Sequence, residues 1–197
     1  MKTFSAAILV GLAFLFSPSN TLQAQKYTID SGHSNIQIKV ERFGVVDVVG
    51  RFKDVSGTIV YDAQDVMKTG AEATIKVESY DANNPGGEAA VKSQAFLHAE
   101  KYPEIRFLGK SISAKDGENF LVGDLTIHGT TQEIELPFSI KGPLLDLPSK
   151  KQSIAFNGSI VINRQDYGVS FDRKLPNGTL LVGNEVEITL NVLALEE

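Results

Sequence analysis

Glu185-Val186-Glu187-Ile188-Thr189-Leu190-Asn191-Val192 decides the fold. Every second residue is apolar and every residue between is polar, a period of two that only an extended strand with one dry and one wet face explains. The same reading holds for Ile36, Ile38 and Val40 against Gln37, Lys39 and Glu41. It holds for Ala73, Ile75 and Val77 against Thr74, Lys76 and Glu78, and for Ile134, Leu136, Phe138 and Ile140 against Glu133, Glu135, Ser139 and Lys141. Runs at 45–52, 55–61, 103–108, 120–128 and 154–162 are rich in β-branched and aromatic residues and add further strands. Between them stand Asp116-Gly117, His128-Gly129 and Asn177-Gly178, the chemistry of tight turns. Residues 88–97 lack Gly and Pro and group Val91, Ala95 and Phe96 at helical spacing, which predicts a short helical cover.

About eight antiparallel strands, each wet on one side, form either two packed sheets or one sheet closed on itself. Closure removes the exposed edges. Periodicity leaves open whether a closed barrel is filled by its own side chains or keeps a cavity.

The first residues have the layout of a secretory signal peptide. Lys2 is positive, 6–16 is apolar apart from Gly11, and Leu22-Gln23-Ala24 offers a cleavage site, so residues 1–24 are expected to be removed and 25–197 to form one domain. The apolar run is too short to span a bilayer, and a periplasmic or secreted chain is expected. With no cysteine it must be held by its core. Loss of Lys2 moves the formal charge from −5 to −6. An acidic mature chain argues against nucleic acid or an anionic membrane surface as partner, and no stable membrane insertion is expected. The basic pairs Lys150-Lys151 and Arg173-Lys174 are short and read as solvated.

Chemistry-bearing motifs are few. His33, His98 and His128 share no element and have no cysteine to help them, so neither metal nor cofactor is expected. Nucleophile elbows, phosphate loops and H-E-x-x-H are absent, and the carboxylates alternate as wet faces; a binding protein rather than an enzyme is expected. A hydrolase rests only on pairs such as Asp30 or Asp166 with His33.

From Tyr27 onward the chain resembles the YceI-like family of exported, lipocalin-like barrels associated with polyisoprenoid binding. The resemblance is carried by Tyr27-Thr28-Ile29-Asp30, His33-Ser34, Val49-Gly50-Arg51-Phe52 and Ser56-Gly57-Thr58-Ile59. It continues through Phe96 with Lys101-Tyr102-Pro103-Glu104-Ile105-Arg106-Phe107, Gly123 to Thr131, Arg164, Asp166, Tyr167-Gly168 and Gly183-Asn184-Glu185-Val186. Two stretches depart from the family pattern. Arg42-Phe43-Gly44 stands where the family often has a histidine shortly before the glycine. Glu88 to Lys92 stands where it often has an Arg-Asp-x-His-Leu-like stretch. If those polar groups meet a ligand headgroup in relatives, the headgroup held here differs.

The resemblance implies an eight-stranded antiparallel barrel around an elongated cavity that takes an apolar isoprenoid, a quinone or a polyprenol, in a monomer or homodimer. The inward wall is then Ile36, Ile38, Val40, Ile59, Tyr61, Ile75, Val77, Phe107, Leu125, Ile127, Leu136, Phe138, Phe156, Ile160 and Ile188, with Phe96 joining it from the helical cover. His33, Arg164, Asp166 and Tyr167 are the expected polar contacts to a headgroup. The competing readings are a ligand-free structural or stress-related barrel and a hydrolase of apolar substrates.

Overall fold

Hairpin chemistry sets the chain path. Asp116 and Gly117 adopt φ of 52° and 84°, and His128 and Gly129 adopt 51° and 77°, the pair of positive values that a two-residue turn needs to match strand twist. These turns join strands that the sequence reading expects from the β-branched and aromatic runs at 103–108 and 120–128 and from the alternation at 134–140. The computed structural model describes residues 24–197; the leader expected over residues 1–24 lies outside the described residues except for Ala24.

Three staves of the barrel are each interrupted once. The first is β1 (Gln25–Ile29) and β2 (Asn35–Arg42), hinged at a 3-10 turn over Ser31–His33; the second is β3 (Val46–Phe52) and β4 (Val55–Tyr61). The third is β5 (Gly70–Lys76) and the two-residue β6 (Tyr80–Asp81), separated by a 3-10 turn over Val77–Ser79. Five unbroken staves follow: β7 (Glu104–Lys115), β8 (Glu118–Ile127), β9 (Thr130–Leu145), β10 (Gln152–Asn163) and β11 (Val182–Glu196). Each stave pairs antiparallel with its neighbours in sequence, and β11 returns to both β1 and β2, so eight staves close one up-and-down barrel.

Register carries the alternation across the sheet. Ile38 sits opposite Ile188, which sits opposite Ile160; Ile36 is opposite both Leu190 and Phe52. Apolar side chains therefore stack in rows on the inner face, while Lys110 bridges Asp124 (2.6 Å) and Glu133 (3.0 Å) on the outer one. Exposed pairs of that kind contribute little; the inner rows hold the barrel.

Two boundaries differ from the sequence reading. The helix, α1, spans Pro85–Lys92 and not 88–97. Asn84 caps it by accepting from the Gly87 amide, Pro85 takes the first helical position, and the Glu88 carboxylate accepts from the Ala82 amide at 3.1 Å. These end contacts outweigh the two glycines they recruit, and the helix stops where Ser93 caps it. The second difference is Val77. It continues the alternation of β5 on paper, but the chain turns there, with the Val77 amide bonded to the Pro103 carbonyl, so its buried side chain packs away from the cavity wall.

The ends of the barrel are unlike. Strand turns at 62–69, 116–117 and 146–151 share the lower end with both termini of the described chain. The upper end carries the 43–45 hairpin, α1 with its following coil, the 128–129 turn and the long 164–181 connection.

Candidate functional site

The lower part of the barrel is solid. Tyr27, Leu121, Ile154 and Ala194 are almost fully buried, and the Phe138 and Phe156 rings stack with centroids 5.1 Å apart and planes 4° off parallel. Above this floor the axis is empty. A cavity of about 430 Å³ runs up to the rim. The barrel is thus neither hollow throughout nor filled throughout.

Thirteen of the sixteen expected wall residues surround that cavity: Ile36, Ile38, Val40, Ile59, Ile75, Phe96, Phe107, Leu125, Ile127, Leu136, Phe156, Ile160 and Ile188. Val77 is not among them, for the reason given above. Tyr61 and Phe138 lie too low; with Asn119, Ser139 and Asn157 they line an open depression of mixed polarity near the lower end. Ile105, Ile134, Ile162, Val186, Leu190 and Val192 also face the cavity. They share the alternation phase of residues already selected, so carrying each row to its end finds them. Val91 comes from α1, where the helical spacing had already grouped it with Phe96, while Leu97, Val169, Phe171 and Leu181 come from irregular rim segments, where no period exists to reveal them.

The rim segments lean on one another. Phe96 from the coil after α1 meets Phe171 from the 164–181 connection at 4.8 Å between ring centroids. His98 and His128 approach to 6.5 Å, with Tyr102 set edge-on to His128 at 4.5 Å. Burial, then the neighbouring His98, hold the His128 imidazole below the usual histidine range, partly offset by the backbone at Tyr167.

The expected headgroup residues divide. Tyr167 and Arg164 lie at the cavity, but Arg164 is a structural pin and not a free contact. Only 5% exposed, its guanidinium donates to the carbonyls of Val169, Phe171, Val182 and Gly183 and to the Asn184 side chain, over 2.5–3.1 Å. This ties the 164–181 connection to the start of β11, with Gly168 (φ 74°) turning the chain between them. Desolvation depresses its pKa, with the Asp172 charge acting the other way. His33 and Asp166 do not line the cavity. His33 is 75% exposed and bonds Asp30 at 2.7 Å, which staples the hinge between β1 and β2 on the outside of the barrel. The Asp30–His33 pair considered for hydrolysis therefore forms, but away from the cavity. Among the described residues, no group of three or more His, Cys, Asp or Glu side chains is placed to hold a metal ion.

An up-and-down barrel with an apolar cup above a packed floor is a calyx of the lipocalin-like kind. Within that class the chain belongs to the YceI-like family: the model of the YceI-like domain matches residues 27–194. A UPF0312 protein of Staphylococcus epidermidis is 32% identical over 162 residues, 82% of this chain and 92% of that protein. The crystal structure of Burkholderia cenocepacia BcnA superposes with a TM-score of 0.72 at 22% identity, covering 84% of this chain and 98% of that one. A polyisoprenoid binding domain from Saccharophagus degradans, implicated in plant cell wall breakdown, gives 0.64 at 12% identity, covering 89% and 100%. At these identities the two structures show the shared fold.

Two outcomes follow from the rim. Arg164→Met keeps the side-chain length and strands five acceptors, one buried and four partly buried, so urea unfolding is expected to show a loss of about 3 kcal/mol. For His128, the fold favours the neutral imidazole, so its contribution is present above the ordinary histidine pKa and lost as pH falls through it. His33, raised by Asp30, acts with the opposite sign in the same region, which makes a difference measurement necessary. His128→Asn suits the turn's positive φ. Melting temperature should fall less between pH 7 and pH 5 in this variant than in the wild type; parallel slopes would exclude the His128 contribution.

Proposed function

We propose that this protein holds an isoprenoid-type lipid, the tail of a quinone or a polyprenol, in the cup above its floor, and that it acts as a carrier or reservoir by binding rather than by turnover. The observation that carries this reading is the cavity itself: about 430 Å³ walled almost entirely by Ile, Val, Leu, Ala and Phe. Pockets that enclose small molecules run from roughly 300 to 1,000 Å³. The polyisoprenoid binding domain with the same fold supports the class of guest. The leader-like residues 1–24 support a periplasmic or secreted site of action.

Apolar guests gain about 0.8 kcal/mol for each CH₂ removed from water, so one five-carbon isoprene unit is worth at most about 4 kcal/mol before ordering costs. Capacity sets the ceiling. A cavity of roughly 150 Å³ holds one benzene ring, so 430 Å³ seats roughly 17 carbons, between three and four isoprene units. Carbons beyond that bend outside or protrude.

Titration calorimetry with prenyl alcohols of increasing length is expected to show affinity rising to the three- or four-unit compound and then levelling, with a negative heat-capacity change. Failure of every member of the series to bind overturns the proposal. Ile160 lies halfway up the wall, opposite Ile188. Ile160→Trp is expected to abolish binding of the three-unit alcohol while the far-ultraviolet circular dichroism stays that of a barrel; unaltered binding would remove the cup from the account.

A further inference from the structure

Val49, Leu108 and Val161 are exposed on separate staves, which is ordinary for a folded surface. The lower end is different. Leu144, Leu145 and Leu147 gather on the connection from β9 to β10 and are 72%, 53% and 69% exposed. Leu144 and Leu145 are consecutive in β9, so their side chains leave opposite faces of the hairpin.

Local hydrogen bonds hold this tip in one shape. The Asp146 amide donates to the Lys151 carbonyl at 2.8 Å, and the Lys150 amide returns to the Asp146 carbonyl at 2.9 Å. The Asp146 carboxylate accepts from the Ser149 amide at 2.9 Å, and the Ser153 hydroxyl donates to the Leu144 carbonyl at 2.9 Å. The leucines are therefore presented to solvent by a fixed turn.

Cations accompany them. Lys141, Lys150 and Lys151 are exposed and form no ion pair among the described residues. The acid of the turn is Asp146, which Ser149 holds below the usual carboxylate range. Of its neighbours, His33 lies within its field, and Glu197 is taken up by Lys26 at 2.9 Å. The acidic balance of the whole chain, −5, does not cancel the local excess of lysine. Charges more than about 8 Å away are largely screened at physiological ionic strength. The lysine pair that reads in the sequence as merely solvated thus stands beside three bare leucines.

We propose that the β9–β10 connection is a docking blade for an anionic lipid bilayer. The leucines enter the boundary between headgroups and acyl chains, and the lysines meet the lipid phosphates. A fluid surface covers both faces of the blade, whereas a flat protein partner covers one. A second copy of this chain fits worse, because a twofold contact sets lysines against lysines. Docking of this kind is peripheral and spans nothing. It does not rest on the cup reading: the blade lies at the packed end, so a bilayer-bound molecule turns its mouth to water.

Co-sedimentation of the mature chain with vesicles tests the blade. Equimolar phosphatidylcholine and phosphatidylglycerol is expected to carry the protein down at low ionic strength. Phosphatidylcholine alone should do so roughly tenfold less, with the difference shrinking as salt is added. Lys150→Gln with Lys151→Gln should weaken partitioning to the mixed vesicles roughly tenfold, and Leu144→Ser with Leu147→Ser by at least as much. All four positions are exposed, so circular dichroism and melting temperature should stay those of the wild type. Val45→Ser, at an 84% exposed position on the opposite end of the barrel, should leave partitioning unchanged. Absence of partitioning to the mixed vesicles overturns the proposal, as do equal partitioning to both vesicles and partitioning untouched by either pair of substitutions. A loss in Val45→Ser equal to that of the leucine pair also overturns it, since the mouth would then be the docking end. Sedimentation equilibrium without lipid tests the other occupant: a dimer that the leucine pair dissolves makes the blade a contact between copies and overturns the bilayer reading.

Discussion

Everything in this molecule depends on the seam where β11 meets the first stave. Tyr27, Thr28 and Ile29 pair with Glu196, Leu195 and Ala194, and after the Ser31–His33 hinge the same strand is met again by Asn35 to Val40. Without that double pairing, both outer strands would carry a row of unpaired amides and carbonyls. With it, every stave has two neighbours and the inner rows face one another across the axis. The hinge reconciles the closure with sheet twist: Asp30 accepts from the Gly32 amide and from His33, so the break between β1 and β2 is built from local hydrogen bonds and not left slack.

Closure alone does not make a cup. Side-chain size decides where the axis is solid, and in the lower part it is aromatic: Tyr27, Phe138 and Phe156 occupy it together with Leu121 and Ile154. Higher up the rows pass mostly to Ile, Val, Leu and Ala, with Phe52 and Phe107 among them, and a cavity remains between the walls. The rim is then assembled by a different kind of interaction, the Arg164 pin and the Phe96–Phe171 contact, which draw irregular segments over the open end.

Much of this is legible in the sequence, and what is not has a physical reason. Alternation gave the strands at 36–40, 134–140 and 186–192 directly, because one face of each is dry. Carried by the resemblance, the wall assignment turned Ile160 and Ile188 inward, and the structure pairs them across β10 and β11. The reading failed at Val77, where alternation persists in the letters but the backbone turns, and at Tyr61 and Phe138, because period two reports which face a residue occupies and says nothing of its height along the axis. His33 and Arg164 misled for a second reason: a polar residue beside a strand has the same appearance in sequence whether it greets a ligand or pins a loop. The meeting of His98 with His128 is thirty residues apart in the chain and has no local signature. Nor do the backbone bonds that join Phe43 to Leu181 and Leu181 to Arg173.

The packed floor has a kinetic consequence. A tube open at both ends lets a chain be threaded through, one partner feeding while another draws. Here, among the described residues, the cavity runs to the rim and packed side chains close it below. On the carrier reading proposed above, a guest would back out along the way it came, head leading and tail last, so that arrival and departure would exclude each other in time. Under that same proposal, handover would take the form of a shuttle with a loaded interval between donor and acceptor, and not of a continuous conduit.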